Sequence, residues 1–106
     1  NSDDRDICDN FAYACIRTGR FDQAKKIIAK MLEKFPTFTE AYYHGAMAYF
    51  MTGDYKTAVD LLDQIEDKCI RTYLTTISED DIEDLRTEIM TRAQAQSAAK
   101  DGTDND

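Results

Sequence analysis

Two stretches, Thr18-Gly19-Arg20-Phe21 and Thr52-Gly53-Asp54-Tyr55, share the pattern Thr-Gly-X-aromatic and lie 34 residues apart. Sliding the chain by that distance aligns much more of it without a gap. Ala12 falls on Ala46, Ala14 on Ala48, Ala24 on Ala58 and Lys34 on Lys68, and Phe21, Ile27, Ile28 and Met31 fall on Tyr55, Leu61, Leu62 and Ile65. Each unit has the physics of a helix, a glycine-centred turn and a second helix, because glycine takes the left-handed backbone that ends a helix without steric penalty. The expected helices run from Asp4 to Thr18, Phe21 to Phe35, Thr39 to Thr52 and Tyr55 to Lys68, with Pro36 closing the second.

Working outward, Ala24, Ile27, Ile28, Met31 and Leu32 recur at three- and four-residue steps and give the second helix one apolar stripe, with Lys26, Lys30 and Glu33 opposite. In the third helix Tyr42, Gly45, Ala46 and Tyr49 keep the same period, and their small members allow a neighbouring helix close approach. Tyr43, Met47, Phe50 and Met51 make the remaining surface of that helix apolar as well, so it is expected to be covered on both sides. An irregular connector, Cys69 to Ile77, leads to a fifth helix that Ser78 opens with Asp81 three residues on, the spacing of a capping box. Its apolar residues Ile82, Leu85, Ile89 and Ala93 would cover the exposed edge of the last hairpin, as repeat arrays require. From residue 98 to 106 the chain is small and polar and is expected to be a disordered tail. The expected divisions are 1–77, with hairpins at about 4–36 and 39–70, then a cap at 78–97 and the tail.

Composition agrees with an all-α single domain. The 106 residues include four Gly and one Pro, too few breakers for many short strands. Thirteen basic against 21 acidic side chains leave a net charge of −8, which argues against a nucleic-acid binder. The acidity is uneven: residues 1–77 hold 12 acidic and 10 basic groups, a net of −2, whereas 78–106 hold nine and three, a net of −6. Acid in the first turn of the fifth helix complements the helix dipole. Three cysteines, Cys8, Cys15 and Cys69, form no CxxC pair and no disulfide framework, so a reduced, cytoplasmic setting is expected. Cys8 and Cys15, seven apart on one helix, are expected to be buried thiols.

The resulting unit resembles the tetratricopeptide repeat, a 34-residue helical hairpin. The second unit carries the resemblance as Tyr42-x2-Gly45-Ala46-x2-Tyr49, then Gly53, Tyr55, Ala58, Leu62 and, in place of Pro, Ile70; the first carries it as Cys8-x2-Phe11-Ala12-x2-Cys15, then Gly19, Phe21, Ala24, Ile28 and Pro36. The departures are Gly45 where the family has Leu, Ala12 and Ala46 where it has Gly, and cysteines for aromatics in the first unit. The resemblance implies an α-solenoid of two antiparallel hairpins with a C-terminal solvating helix, whose first helices line a concave groove for a peptide or helix of another protein. Carried over by position, that groove takes Asp6, Asp9, Tyr13, Ile16 and Arg17 from the first unit and Glu40, Tyr43, Met47, Phe50 and Met51 from the second. The basic set with which one subclass clamps acidic chaperone tails is missing, since Asp9, Tyr13 and His44 stand there. Asp6, Asp9 and Glu40 favour instead an apolar segment with basic flanks.

Catalysis, cofactor binding and metal binding have little to draw on. The lone histidine, His44, has no ligand-like partner spacing and is expected to be a packing or surface residue, and Glu79 to Asp84 lack the glycine and spacing of a calcium loop. No run of apolar residues is long enough for membrane insertion. The expectation is a non-enzymatic scaffold or adaptor module, the C-terminal part of a longer repeat protein. Two alternatives stand beside it, a small acidic chaperone of the tetratricopeptide type found in secretion systems, and a structural repeat that self-associates through its exposed first-helix edge.

Overall fold

The structure is a computed structural model and describes residues 2–69 and 75–104. It contains five helices and, among the described residues, no strand: α1 (Ser2–Arg17), α2 (Phe21–Lys34), α3 (Thr39–Met51), α4 (Tyr55–Lys68) and α5 (Glu79–Asp104). Sequential neighbours pack as pairs, and α1, α3 and α5 form a second layer of contacts along one side.

The repeated Thr-Gly-X-aromatic stretch is one helix stop written twice. Gly19 and Gly53 sit at φ +82° and +85°, and an added Cβ would meet nothing at either position, so the demand for glycine is purely a backbone one. The amides of Gly19 and Arg20 reach back to the carbonyls of Ile16 (3.2 Å) and Cys15 (2.7 Å), and those of Gly53 and Asp54 to Phe50 (3.1 Å) and Tyr49 (2.9 Å). This is the Schellman pattern, which satisfies the carbonyls a helix end leaves free. The threonine earns its place too. Thr18 donates its hydroxyl to the Ala14 carbonyl at 2.9 Å and Thr52 to that of Ala48 at 3.2 Å. The second turn then gains a side-chain cap, Asp54 accepting from the Thr57 amide.

α3 lies at the centre. Ala12, Cys15, Ile16, Ala24, Ile28, Met31, Phe38, Ala41 and Ala48 make one core between α1, α2 and α3. Tyr42, Ala46, Ala58, Leu61, Leu62, Ile65, Leu85 and Ile89 make another between α3, α4 and α5. Leu32 and Met47 touch both. Every residue of α3 except Met51 is buried or half-buried, as its all-round apolar surface requires. Gly45 shows why the helix departs from the family pattern: a Cβ there would lie 3.2 Å from both Ile28 Cγ2 and Leu61 Cδ1. The two flanking helices already fill the volume that a leucine would occupy.

The turn between the hairpins is pinned by Tyr42, which donates its hydroxyl to the Pro36 carbonyl at 2.6 Å. The α5 capping box forms as the Ser78–Asp81 spacing predicts: the Ser78 amide donates to Asp81 at 2.9 Å and the Asp81 amide to the Ser78 hydroxyl at 3.0 Å. Leu85 and Ile89 bury against α4, and Arg86 pairs with Asp63.

Two expectations differ from the structure. The segment from residue 98 is helical through Asp104, since Ala98, Ala99 and Lys100 are strong helix formers that extend α5. Cys15 is buried but Cys8 is exposed, because α1 packs on α2 and α3 alone and nothing covers its outer edge, where Ile7 and Phe11 beside Cys8 are 65% and 48% exposed. The part of the connector at 70–74, including Ile70, lies outside the described residues.

Candidate interaction groove

Both α1 and α5 pack on α3, and the residues expected to line a groove there divide by what already holds them. At its centre Asp9 Oδ1 and His44 Nδ1 are 2.7 Å apart, with side chains only 11% and 13% exposed. A buried carboxylate needs such a partner, so this pair ties α1 to α3 and engages the Asp9 side chain within the fold. Tyr13 lies against the same imidazole, ring centroids 4.9 Å apart, and Tyr43 meets it edge-on at 5.8 Å. Arg17, one turn further along α1, places its guanidinium 5.8 Å from the Tyr13 ring.

Glu40 is likewise engaged. One carboxylate oxygen accepts from the Thr75 hydroxyl (3.0 Å) and the other from the Thr76 amide (3.4 Å), tying the end of the connector to the start of α3. Tyr43 has its phenol pKa pushed above the ordinary value, first by burial and then by the negative charges of Asp81, Asp84 and Glu88, with Tyr13 also contributing. Met47 packs into both cores. Phe50 lies 5.9 Å from the Tyr55 ring and under the Arg92 guanidinium at 5.8 Å, while Met51 is 57% exposed. Phe50 to Gly53, Tyr55, Glu88, Arg92 and Gln96 enclose a cleft of about 470 Å³ where α5 passes the α3–α4 turn.

The positions carried over from the repeat pattern thus fall into three groups. Tyr13, Arg17, Met51 and Asp6 are exposed and Tyr43 and Phe50 half-buried, Asp9 and Glu40 hold helices and connector together, and Met47 and Ile16 pack in the core. Periodicity does not reveal the Asp9–His44 pair or the cleft wall that Glu88 and Arg92 contribute. The first had a signal: Asp9 and Tyr43 are repeat equivalents, so His44 had to lie beside Asp9's level on the next helix.

Elsewhere, a second cleft of about 460 Å³ opens between α4 and the start of α5, with Ile65, Cys69, Ile77 and Ile82 inside and Glu66, Glu79 and Glu83 around it. Burial pushes the Cys69 thiol up, with Glu40 adding to the rise while a hydrogen bond with Thr39 and the charge of Lys68 oppose it. The thiol therefore stays protonated and unreactive at neutral pH. Among the described residues no group of three or more His, Cys, Asp or Glu is placed to hold a metal, and no helix is long and apolar enough to cross a membrane.

A family model described as tetratricopeptide repeat matches residues 16–68, half of the chain, from the end of α1 through α2 and α3 to the end of α4. No curated protein and no solved structure gives a match. With the 34-residue register, the paired Schellman turns and the stacked hairpins, that match is decisive: the chain belongs to the tetratricopeptide repeat family.

Proposed function

We propose that this chain is a protein-interaction module that holds an apolar segment of another protein in the groove between α1, α3 and α5. The observation that carries the reading is the exposure of Met51 and Tyr13 at the ends of a floor that Tyr43, Met47 and Phe50 complete. Aromatic and methionine side chains at such a surface suit a partner that buries apolar area, and repeat solenoids use their concave side in this way. The adaptor reading also supports a non-catalytic role. The groove's one histidine is committed to Asp9, and the most strongly buried thiol with a resolved shift, Cys69, is held protonated.

The test is affinity capture with the intact chain against Tyr13→Ser and Met51→Ser, followed by binding of the purified partner to each. Loss of binding with unchanged helicity and melting supports the groove; full binding by both variants rejects it.

A second reading rests on the outer edge of α1. Ile7, Phe11 and Ala14 are the repeat equivalents of Ala41, Gly45 and Ala48, which are buried in the core where α2 packs on α3, yet Ile7 and Phe11 are exposed. That edge has the position at which a further helix stacks, which favours self-association there. Sedimentation of the wild-type chain and of a variant with Ile7→Ser and Phe11→Ser decides it: a dimer that the variant abolishes supports the edge, and a concentration-independent monomer excludes it.

A further inference from the structure

The outer edge of α1 has the pattern of a helix-pairing seam. Asp4, Ile7, Phe11, Ala14 and Thr18 recur at steps of three, four, three and four residues, the 3.5-residue period of helices that pair along their length. Among the described residues α1 packs on α2 and α3 alone, and Ile7, Phe11, Ala14 and Thr18 are all exposed. Phe11 also limits what can lie there. It is the repeat equivalent of Gly45, where α2 comes so close to α3 that a Cβ would stand 3.2 Å from Ile28 Cγ2. A helix stacked on α1 as closely as α2 stacks on α3 would run into the Phe11 ring, so the edge takes a cover whose side chains interleave with Phe11.

Charge supplies the orientation. The first half of α1 carries Asp3, Asp4, Asp6 and Asp9 against Arg5 alone, and its last turn carries Arg17, exposed and without an ion pair among the described residues. Resting on the self-association reading above, we propose that this edge pairs with the same edge of a second copy of this chain, the two α1 helices running antiparallel about a twofold axis beside residue 9. In that register Ile7 of each copy packs beside Phe11 of the other, so that four large apolar side chains surround the axis, and Arg17 of each copy comes level with the acidic first turn of the other. A parallel pair would set acid against acid and Arg17 against Arg17, so the charges select the antiparallel one. One pair of 16-residue helices is about 24 Å long and buries less than the ~1,600 Å² of a standard interface, so the dimer is a weak one that forms at high concentration.

Sedimentation equilibrium of the intact chain, carried to near-millimolar concentration, is expected to show a monomer–dimer equilibrium that Ile7→Ser with Phe11→Ser abolishes. Arg17→Gln weakens the dimer by about fivefold, the scale of two exposed ion pairs, and so does raising NaCl from about 0.05 M to about 0.5 M, where the screening length is a few ångströms. In a parallel pair both changes tighten it. A nitroxide on Thr18→Cys in a Cys8→Ser background, with Cys15 and Cys69 buried, lies about nine residues from the axis; the two labels stand about 27 Å apart along an antiparallel pair and side by side in a parallel one, which electron–electron double resonance distinguishes. A dimer with adjacent labels that salt and Arg17→Gln tighten overturns the antiparallel pairing and leaves self-association at this edge standing. A monomer at every concentration, or a dimer that the Ile7→Ser, Phe11→Ser variant retains, overturns both.

Discussion

Replacing Gly45 by leucine, the residue the family usually carries there, is expected to destabilise this protein. The site is bounded on two sides: an added Cβ stands 3.2 Å from Ile28 Cγ2 on α2 and 3.2 Å from Leu61 Cδ1 on α4, so neither neighbour can retreat without pressing on a core of its own. Alanine gains about 1 kcal/mol of helix propensity over glycine and loses a comparable amount to the two tight contacts, so Gly45→Ala is expected within about 1 kcal/mol of wild type. Leucine adds three further carbons to the same gap. Overpacking of that kind costs roughly 1–3 kcal/mol and more when α3 must shift, which lowers the melting temperature by roughly 4–8 °C per kcal/mol in a domain of about this size. The assay is thermal and urea denaturation of the two single variants and of Gly45→Leu combined with Ile28→Ala. Relieving one wall should recover part of the loss beyond the sum of the single effects, since contacting residues couple. A Gly45→Leu protein as stable as wild type would refute the packing argument and return the position to the family pattern.

Four further outcomes follow from the same structure. Gly19→Ala and Gly53→Ala should each cost about 1–2 kcal/mol in urea denaturation from backbone strain alone, and since an added Cβ meets nothing there, no second-site cavity should rescue them. His44→Leu should cost about 3 kcal/mol or more because it strands the buried Asp9 carboxylate, and adding Asp9→Leu should recover much of the loss; a double variant less stable than the sum of the two single changes would count against the pair. Under native conditions near pH 8 a thiol reagent should modify one cysteine, Cys8, quickly and Cys15 and Cys69 only on unfolding. Because the raised Cys69, Tyr42 and Tyr43 values favour the protonated form in the folded state, stability is fully present below their unfolded values and falls as pH climbs above about 9 and then 10. A melting temperature that stays level or rises from pH 8 to pH 11 would contradict that sign.

Much of the architecture was legible because it is local chemistry repeated. The Thr-Gly stops, Pro36 after α2 and the Ser78–Asp81 box act within a few residues of chain, and each lies where its spacing predicted. Positions decided by what stands opposite were less legible. Gly45 departed from the family without a visible reason, and the reason is two side chains, on α2 and α4, that no pattern within α3 contains. Cys8 shares Cys15's period, but burial also depends on what packs against a face, and Cys8 lies with Ile7 and Phe11 on the edge of α1 that no other described helix covers. The repeat register supplies the candidate groove positions. It does not say which of their charges are already engaged, since Asp9 depends on His44 and Glu40 on Thr75 and Thr76, partners about one repeat length away in sequence. The end of α5 shows the opposite error: a polar composition was taken for disorder where alanine and lysine favour helix.

The four methionines offer the most direct test of the groove, because they mark three environments: Met31 the first core, Met47 and Met51 the proposed groove, and Met90 the outer apolar cleft beside Val59 and Ala93. In a methionine-methyl NMR titration of the intact chain with the partner segment obtained by affinity capture, the Met47 and Met51 signals are predicted to move together while Met31 and Met90 stay in place. Movement of Met90 alone, or binding that leaves Met47 and Met51 unmoved, would contradict the account.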